Sequence, residues 1–173
     1  MARIEINGYG QLELNQVAFR RDGRIEAQCK LDDKIEYVEN GMLLAIDNTK
    51  RTVSFPKADG TDEFIALNYT SEHMYDERKT ALKDFRLKKN TFLPRLGYLA
   101  VGDKFTTNTV SYDGTLADLK EAIAAGTIYG CESTDGSILC GAKDDSKKIC
   151  LKALYETTMP DGTFAIKFQV VSC

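Results

Sequence analysis

Along most of this chain, hydrophobic and polar residues alternate in short runs, and turn dipeptides separate the runs. Ile25, Ala27, Cys29 and Leu31 share one face of a segment whose other face carries Glu26, Gln28 and Lys30. This period of two predicts a half-buried strand. Val17 to Arg20 and Arg24 to Leu31 flank Asp22-Gly23 and predict a hairpin, and Ile35 to Val38 and Met42 to Asp47 flank Asn40-Gly41 in the same way. Asn48-Thr49-Lys50 turns the chain into a strand over Arg51 to Phe55, and Phe64 to Tyr69 follows. Tyr98 to Val101 and Lys104 to Val110 read as strands around Gly102-Asp103. The plainest hairpin joins Cys150 to Thr158 with Thr163 to Val171 through Pro160-Asp161-Gly162. Seven Asx-Gly pairs, at Gly8, Gly23, Gly41, Gly60, Gly114, Gly136 and Gly162, supply residues that accept the positive φ of tight turns.

Two segments break this rhythm. From Ser71 to about Leu87, Met74, Ala81, Leu82 and Phe85 recur at helical spacing. Acids come early and bases late, as the helix dipole favours. Leu116 to Ala125 opens on Thr115, three residues before Asp118, and stops at Gly126, a capping-box variant with a glycine stop. The pattern therefore predicts an α+β fold that is β-rich, with mainly antiparallel strands and hairpins and two short helices.

The length of 173 residues fits a single domain, 1–173, with a soft subdivision near residue 113 at Asp113-Gly114. A chain of this size buries enough surface to fold without a metal or disulfide. A net charge of −3 selects no partner through its long-range field. No apolar run approaches the ~20 residues of a membrane-spanning helix. The start, Met1 to Gly8, lacks the layout of a signal peptide, which predicts a chain made in the cytosol with its five cysteines as free thiols.

Candidate chemistry is sparse. His73 is the only imidazole, and no nucleophile elbow accompanies it. Asp32-Asp33 and Asp144-Asp145 sit among lysines in loop-like sequence, which fits solvated turns better than an acid–base pair. Cys131, Cys140 and Cys150 lack zinc-ligand spacing, and Gly8-Tyr9-Gly10 lacks the third glycine of a dinucleotide fingerprint. No cofactor is expected, and no enzymatic role.

One stretch is uneven in charge. Arg78, Lys79, Lys83, Arg86, Lys88, Lys89 and Arg95 fall within eighteen residues that hold a single acid, Asp84. A solvated helix face is the first reading, docking on an acidic protein surface the second, and nucleic-acid binding the third. The N-terminal ten residues form an expected extended arm. Within it, Arg3, Ile4 and Ile6 belong to a short alternating strand set apart by Asn7-Gly8 and Gly10. Such an arm can add to the edge of a neighbour's sheet.

Three segments, Glu39 to Ala45, Met74 to Lys79 and Gly97 to Val110, resemble small head proteins of tailed bacteriophages, the capsid decoration proteins also called cement or auxiliary head proteins. The similarity spans roughly Ile35 to Val110. It implies a non-enzymatic virion structural protein that binds the outer capsid surface and stabilises contacts between major capsid subunits. The implied partners are the major capsid protein and neighbouring copies of the chain, with no membrane, and the implied location is the virion after assembly in the host cytoplasm. A tail or baseplate component is the alternative, as is a small nucleic-acid-binding module using residues 78–95. On this reading the partner-binding residues are Arg3, Ile4, Ile6 and the seven cations of the basic stretch.

Overall fold

The fold is taken from a computed structural model, which describes residues 2–4, 8–72, 82–91 and 93–173. The chain is β-rich with mainly antiparallel pairing, as its alternation predicts. Its strands divide between two principal sheets.

The first sheet contains β3 (Ile25–Glu26), β4 (Lys30–Leu31), β6 (Leu43–Asp47), β7 (Thr52–Ser54), β8 (Phe64–Asn68) and β10 (Leu96–Gly97), in the order β3-β10-β8-β6-β7-β4. At its centre, β6 and β8 are buried on both faces. Leu43, Ile65 and Leu67 turn toward the second sheet, while Leu44, Ile46 and Ala66 join Leu31, Val38 and Leu96 in a separate cluster. This explains why Leu43 to Ile46 is a continuous apolar run rather than an alternating one. A small ribbon of β5 (Tyr37–Val38) and β9 (Leu87–Lys88) adds Val38 and Leu87 to that cluster.

The second sheet has the order β1-β12-β14-β13-β15-β16-β11-β2. Its strands are β1 (Ala2–Arg3), β2 (Leu12–Gln16), β11 (Lys104–Thr107), β12 (Val110–Tyr112), β13 (Tyr129–Glu132), β14 (Ile138–Gly141), β15 (Cys150–Thr158) and β16 (Phe164–Ser172). Only Asn108 and Thr109 separate β11 from β12, yet these strands pair with β16 and β14 at opposite ends of the order. They are two halves of one bent strand, so the sheet rolls up and closes on itself as a small barrel. Phe105, Val110, Ile138, Leu151, Ile166 and Phe168 fill it, each fully buried. Full burial of one such side chain contributes about 1.5–3 kcal/mol. α2 (Leu116–Ala124) packs along β15 and adds Leu119 and Ile123 to the same core. Its capping box forms as predicted, with Thr115 Oγ1 accepting from Asp118 N at 3.2 Å and Asp118 Oδ2 accepting from Thr115 N at 3.0 Å.

Several predicted elements differ. The hairpin around Asp22-Gly23 does not form. Residues Ala18–Asp22 are a helix, α1, closed by Gly23 at φ 69°, and Phe19 on it is buried in the barrel-side core. The segment from Arg24 to Leu31 is divided, because β3 and β4 lie on opposite edges of the first sheet. Tyr98 to Val101 is not a strand. The Asp103 carboxylate accepts from Ala100 N at 2.9 Å and draws the segment into a turn. The helix expected over Ser71 to Leu87 falls largely at residues 73–81, outside the described residues. Its far end is a short 3-10 turn at Leu82–Asp84, and Leu87 is already in β9. The subdivision near Asp113-Gly114 is crossed by the parallel pairing of β12 with β14.

Candidate binding site

The expected partner-binding residues have three different fates. Ile6, Arg78 and Lys79 lie outside the described residues, as does His73. Arg3 and Ile4 are engaged within the chain itself. Arg3 pairs with Ser111 in the β1–β12 ladder, and Ile4 donates its N–H to Val110 O at 3.0 Å while its side chain packs on the core. The expected arm is thus, over residues 2–4, an edge strand of the chain's own barrel sheet.

The basic stretch divides as well. Lys89 is held by Asp33, through the carboxylate at 2.9 Å and the carbonyl at 2.9 Å. Arg86 turns inward. Lys83, Lys88 and Arg95 are exposed and form no ion pair among the described residues.

Arg3 and Arg86, 83 positions apart in sequence, meet at one side chain, Glu39. Its carboxylate is 1% exposed. One oxygen accepts from Arg86 Nε at 3.1 Å and the other is bound by Arg3 Nη1. A buried carboxylate needs such partners, because an unpaired buried charge costs several kcal/mol. Arg86 also lies over the ring of Tyr37, 5.1 Å from its centroid, a cation–π contact. Three elements place this group: β1 carries Arg3, the turn after β5 carries Glu39, and the segment entering β9 carries Arg86.

Beside it lies a cavity of about 300 Å³ bounded by Arg3, Ile35, Tyr37, Met42, Phe55 and Asp135. Asp135 belongs to the β13–β14 turn. Burial pushes its carboxyl upward, but hydrogen bonds from Ser137 and Ser133, with the Arg3 charge, outweigh burial and hold it below the usual carboxylate range. Sequence reading singled out Arg3 and Arg86 as cations but missed Glu39, Tyr37 and Asp135. One signal was available: Glu39 is the lone charge between Val38 and Ala45, an otherwise apolar or turn-forming run.

Several of the other acids have structural partners. Asp103 accepts from Ala18 N and Ala100 N, and Glu132 accepts from Lys148 N and Ile149 N at 2.8 and 3.0 Å. Asp32 and Asp144 each accept from the backbone N–H two residues on, and their neighbours Asp33 and Asp145 pair with Lys89 and Lys143. The doublets are turns, as expected. All five cysteines are free thiols. Burial pushes Cys131 up to about 11 and Cys140 up to about 12, so both stay protonated at neutral pH. Tyr9 donates to Glu72 at 2.9 Å; burial, and then that bond, raise its phenol well above its ordinary value.

Among the described residues no group of three or more His, Cys, Asp or Glu side chains is placed to hold a metal ion, and no helix is long and apolar enough to cross a membrane. No protein-family model, curated protein or solved structure matches the chain. What the fold defines is a class: a β-rich α+β protein built from a closed barrel and an attached sheet.

Proposed function

We propose that this protein is a non-enzymatic structural component of a tailed-bacteriophage virion, which binds the outer surface of the capsid and stabilises contacts between major capsid subunits. The resemblance of Glu39 to Ala45 and Gly97 to Val110 to decoration proteins motivates the reading. The observation that carries it is the exposure of Lys83, Lys88 and Arg95, three cations of one acid-poor stretch with no ion pair among the described residues. Cations left to solvent in a chain of net charge −3 suit an acidic docking surface. A single exposed pair contributes about 0–1 kcal/mol, so attachment on this reading depends on several contacts per copy and many copies per shell.

The test is binding to capsid shells emptied of DNA. Wild type is compared with a Lys83→Glu/Lys88→Glu/Arg95→Glu variant at low and moderate salt. The expected result is saturable wild-type occupancy that the triple variant loses. Equal occupancy of both proteins would reject this surface. Failure of wild type to bind any shell, with tight retention of free nucleic acid, would replace the proposal with a nucleic-acid-binding role. Deleting residues 1–10 is a poorer probe, because Arg3 and Ile4 belong to the barrel sheet.

A further inference from the structure

Cys131 on β13 and Cys150 at the start of β15 come side by side on the barrel wall. The two strands pair antiparallel, with Tyr129 opposite Lys152 and Gly130 opposite Leu151. One step further along both strands brings Cys131 to Cys150. The step after that is marked by a contact, because Glu132 accepts from Ile149 N at 3.0 Å. The cysteines are thus bracketed on both sides by residues that meet. Both thiols also leave the wall on its outer side. Ile149 and Leu151, which flank Cys150, belong to the barrel core, and a Cβ on Gly130 would point at Ile138 and Phe168 inside it. Alternation along each strand turns Cys150 and Cys131 the other way. Cys140, opposite Gly130, lies inside with the core and takes no part in this pair.

Residues that face each other across an antiparallel ladder have Cα atoms about 4.5–5.5 Å apart. A disulfide spans about 4.4–6.8 Å between Cα atoms, so the wall needs no rearrangement to accept one. The seam is also the thinnest in the barrel. The β13–β15 ladder has two registered pairs, against three to eight at β12–β14, β13–β14, β11–β16 and β15–β16. Cys131 is partly exposed and Cys150 is buried, so an oxidant from solvent meets Cys131 first. Burial raises both thiols, and the charges of Lys147 and Asp144 beside Cys131, and of Lys143 and Asp145 beside Cys150, act on them in opposite senses. Exchange is therefore slow near neutral pH and quickens in mild alkali.

We propose that Cys131 and Cys150 form a reversible dithiol–disulfide pair that staples β13 to β15 across the thinnest seam of the barrel. The oxidant is a small-molecule disulfide of the glutathione class. The Cys131 thiolate attacks one of its sulfurs, forming a mixed disulfide and expelling one thiolate. The Cys150 thiolate then attacks the Cys131 sulfur and expels the second. The two protons lost by the cysteines go to the two departing thiolates, and the two electrons reduce the small disulfide to two thiols. This pair stands whether or not the protein attaches to a capsid.

The test uses the full chain, folded and fully reduced, in mildly alkaline buffers of graded reduced-to-oxidised glutathione ratio. Remaining thiols are alkylated and the peptides mapped by mass spectrometry. The expected product in oxidising buffer is a Cys131–Cys150 cross-linked peptide that dithiothreitol reverses. The cross-linked protein is expected to melt about 5 °C or more above the reduced one. Cys131→Ala and Cys150→Ala should each lose both the cross-link and the thermal gain. Arrest of Cys131 at the mixed disulfide, a different pair such as Cys131–Cys173, or no bond in the most oxidising buffer overturns the proposal, as does a cross-link without the thermal gain. The wild-type map and melting curve decide the matter even if a variant fails to fold.

Discussion

Asp103 joins two elements through one carboxylate. Oδ1 accepts from Ala18 N at the start of α1, and Oδ2 accepts from Ala100 N in the turn before β11. α1 has no capping side chain of its own, so this distant acid takes that role. Asp103→Ala leaves both partly buried N–H groups unpaired, at about 1–2 kcal/mol each. The expected loss is therefore about 2–4 kcal/mol in urea unfolding, with an unchanged m-value. The thiols give a second prediction at this scale. Cys131 and Cys140 remain protonated in the folded protein up to about pH 11 and 12, whereas an unfolded thiol ionises near pH ~8.5. Their contribution is fully present below that unfolded value. It is lost as pH rises toward the folded values, because the unfolded chain then binds fewer protons. Each thiol steepens the decline by up to about 1.4 kcal/mol per pH unit, so Cys140→Ala should show a flatter loss of stability between pH 9 and 11 than wild type.

At the scale of elements, the turn dipeptides show how local chemistry and pairing come apart. Gly23, Gly41, Gly60, Gly136 and Gly162 all have positive φ, as their Asx-Gly context predicts. Yet only the turns at Gly136 and Gly162 join strands that pair with each other, β13 with β14 and β15 with β16. Gly23 instead ends a helix, and Gly41 and Gly60 connect strands that are not neighbours. Backbone conformation is a property of a few residues, while pairing depends on which apolar faces find each other across the chain. Gly41 adds a second constraint: a Cβ there would lie 2.0 Å from Thr107 Oγ1, at the end of β11. Gly41→Ala combines a φ of 82° with that clash and should cost more than 3 kcal/mol or abolish folding, read by thermal unfolding. Thr115→Ala removes only a cap, and should cost about 1 kcal/mol without changing the fold.

For the molecule as a whole, the closure of the barrel is the decisive event. The bent strand from Lys104 to Tyr112 lies before Asp113, while four of the strands that complete the barrel lie after it. At the bend, Asn108 Oδ1 accepts from Gln11 N at 2.7 Å, and its Nδ2 donates to Tyr9 O and Thr163 Oγ1, both at 3.1 Å. One buried amide thereby ties the N-terminal segment to the C-terminal hairpin. Fragments 1–112 and 114–173 should each lack cooperative unfolding and regain it, if at all, only when mixed. Independent cooperative folding of either fragment would contradict this account.

What depends on near neighbours is legible in the order of residues. Leu116–Ala124 is a capped helix because Thr115 and Asp118 lie three residues apart, and the C-terminal hairpin forms because Pro160-Asp161-Gly162 separates two alternating runs. The strands β6, β7 and β8 were legible for the same reason. The rest follows from contacts between distant segments. Val17 to Leu31 alternates like a hairpin, but burial of Phe19 in the core beneath Gly97 and the Asp103 contact favour a helical turn there. The barrel's closure was hidden because it requires one strand to pair with two others that are distant in sequence. Glu39 was hidden because a carboxylate is worth burying only when cations arrive from elsewhere, here from positions 3 and 86. Periodicity records which face of an element is apolar; which partner covers that face, and which charges meet beside it, is fixed only when all the elements pack.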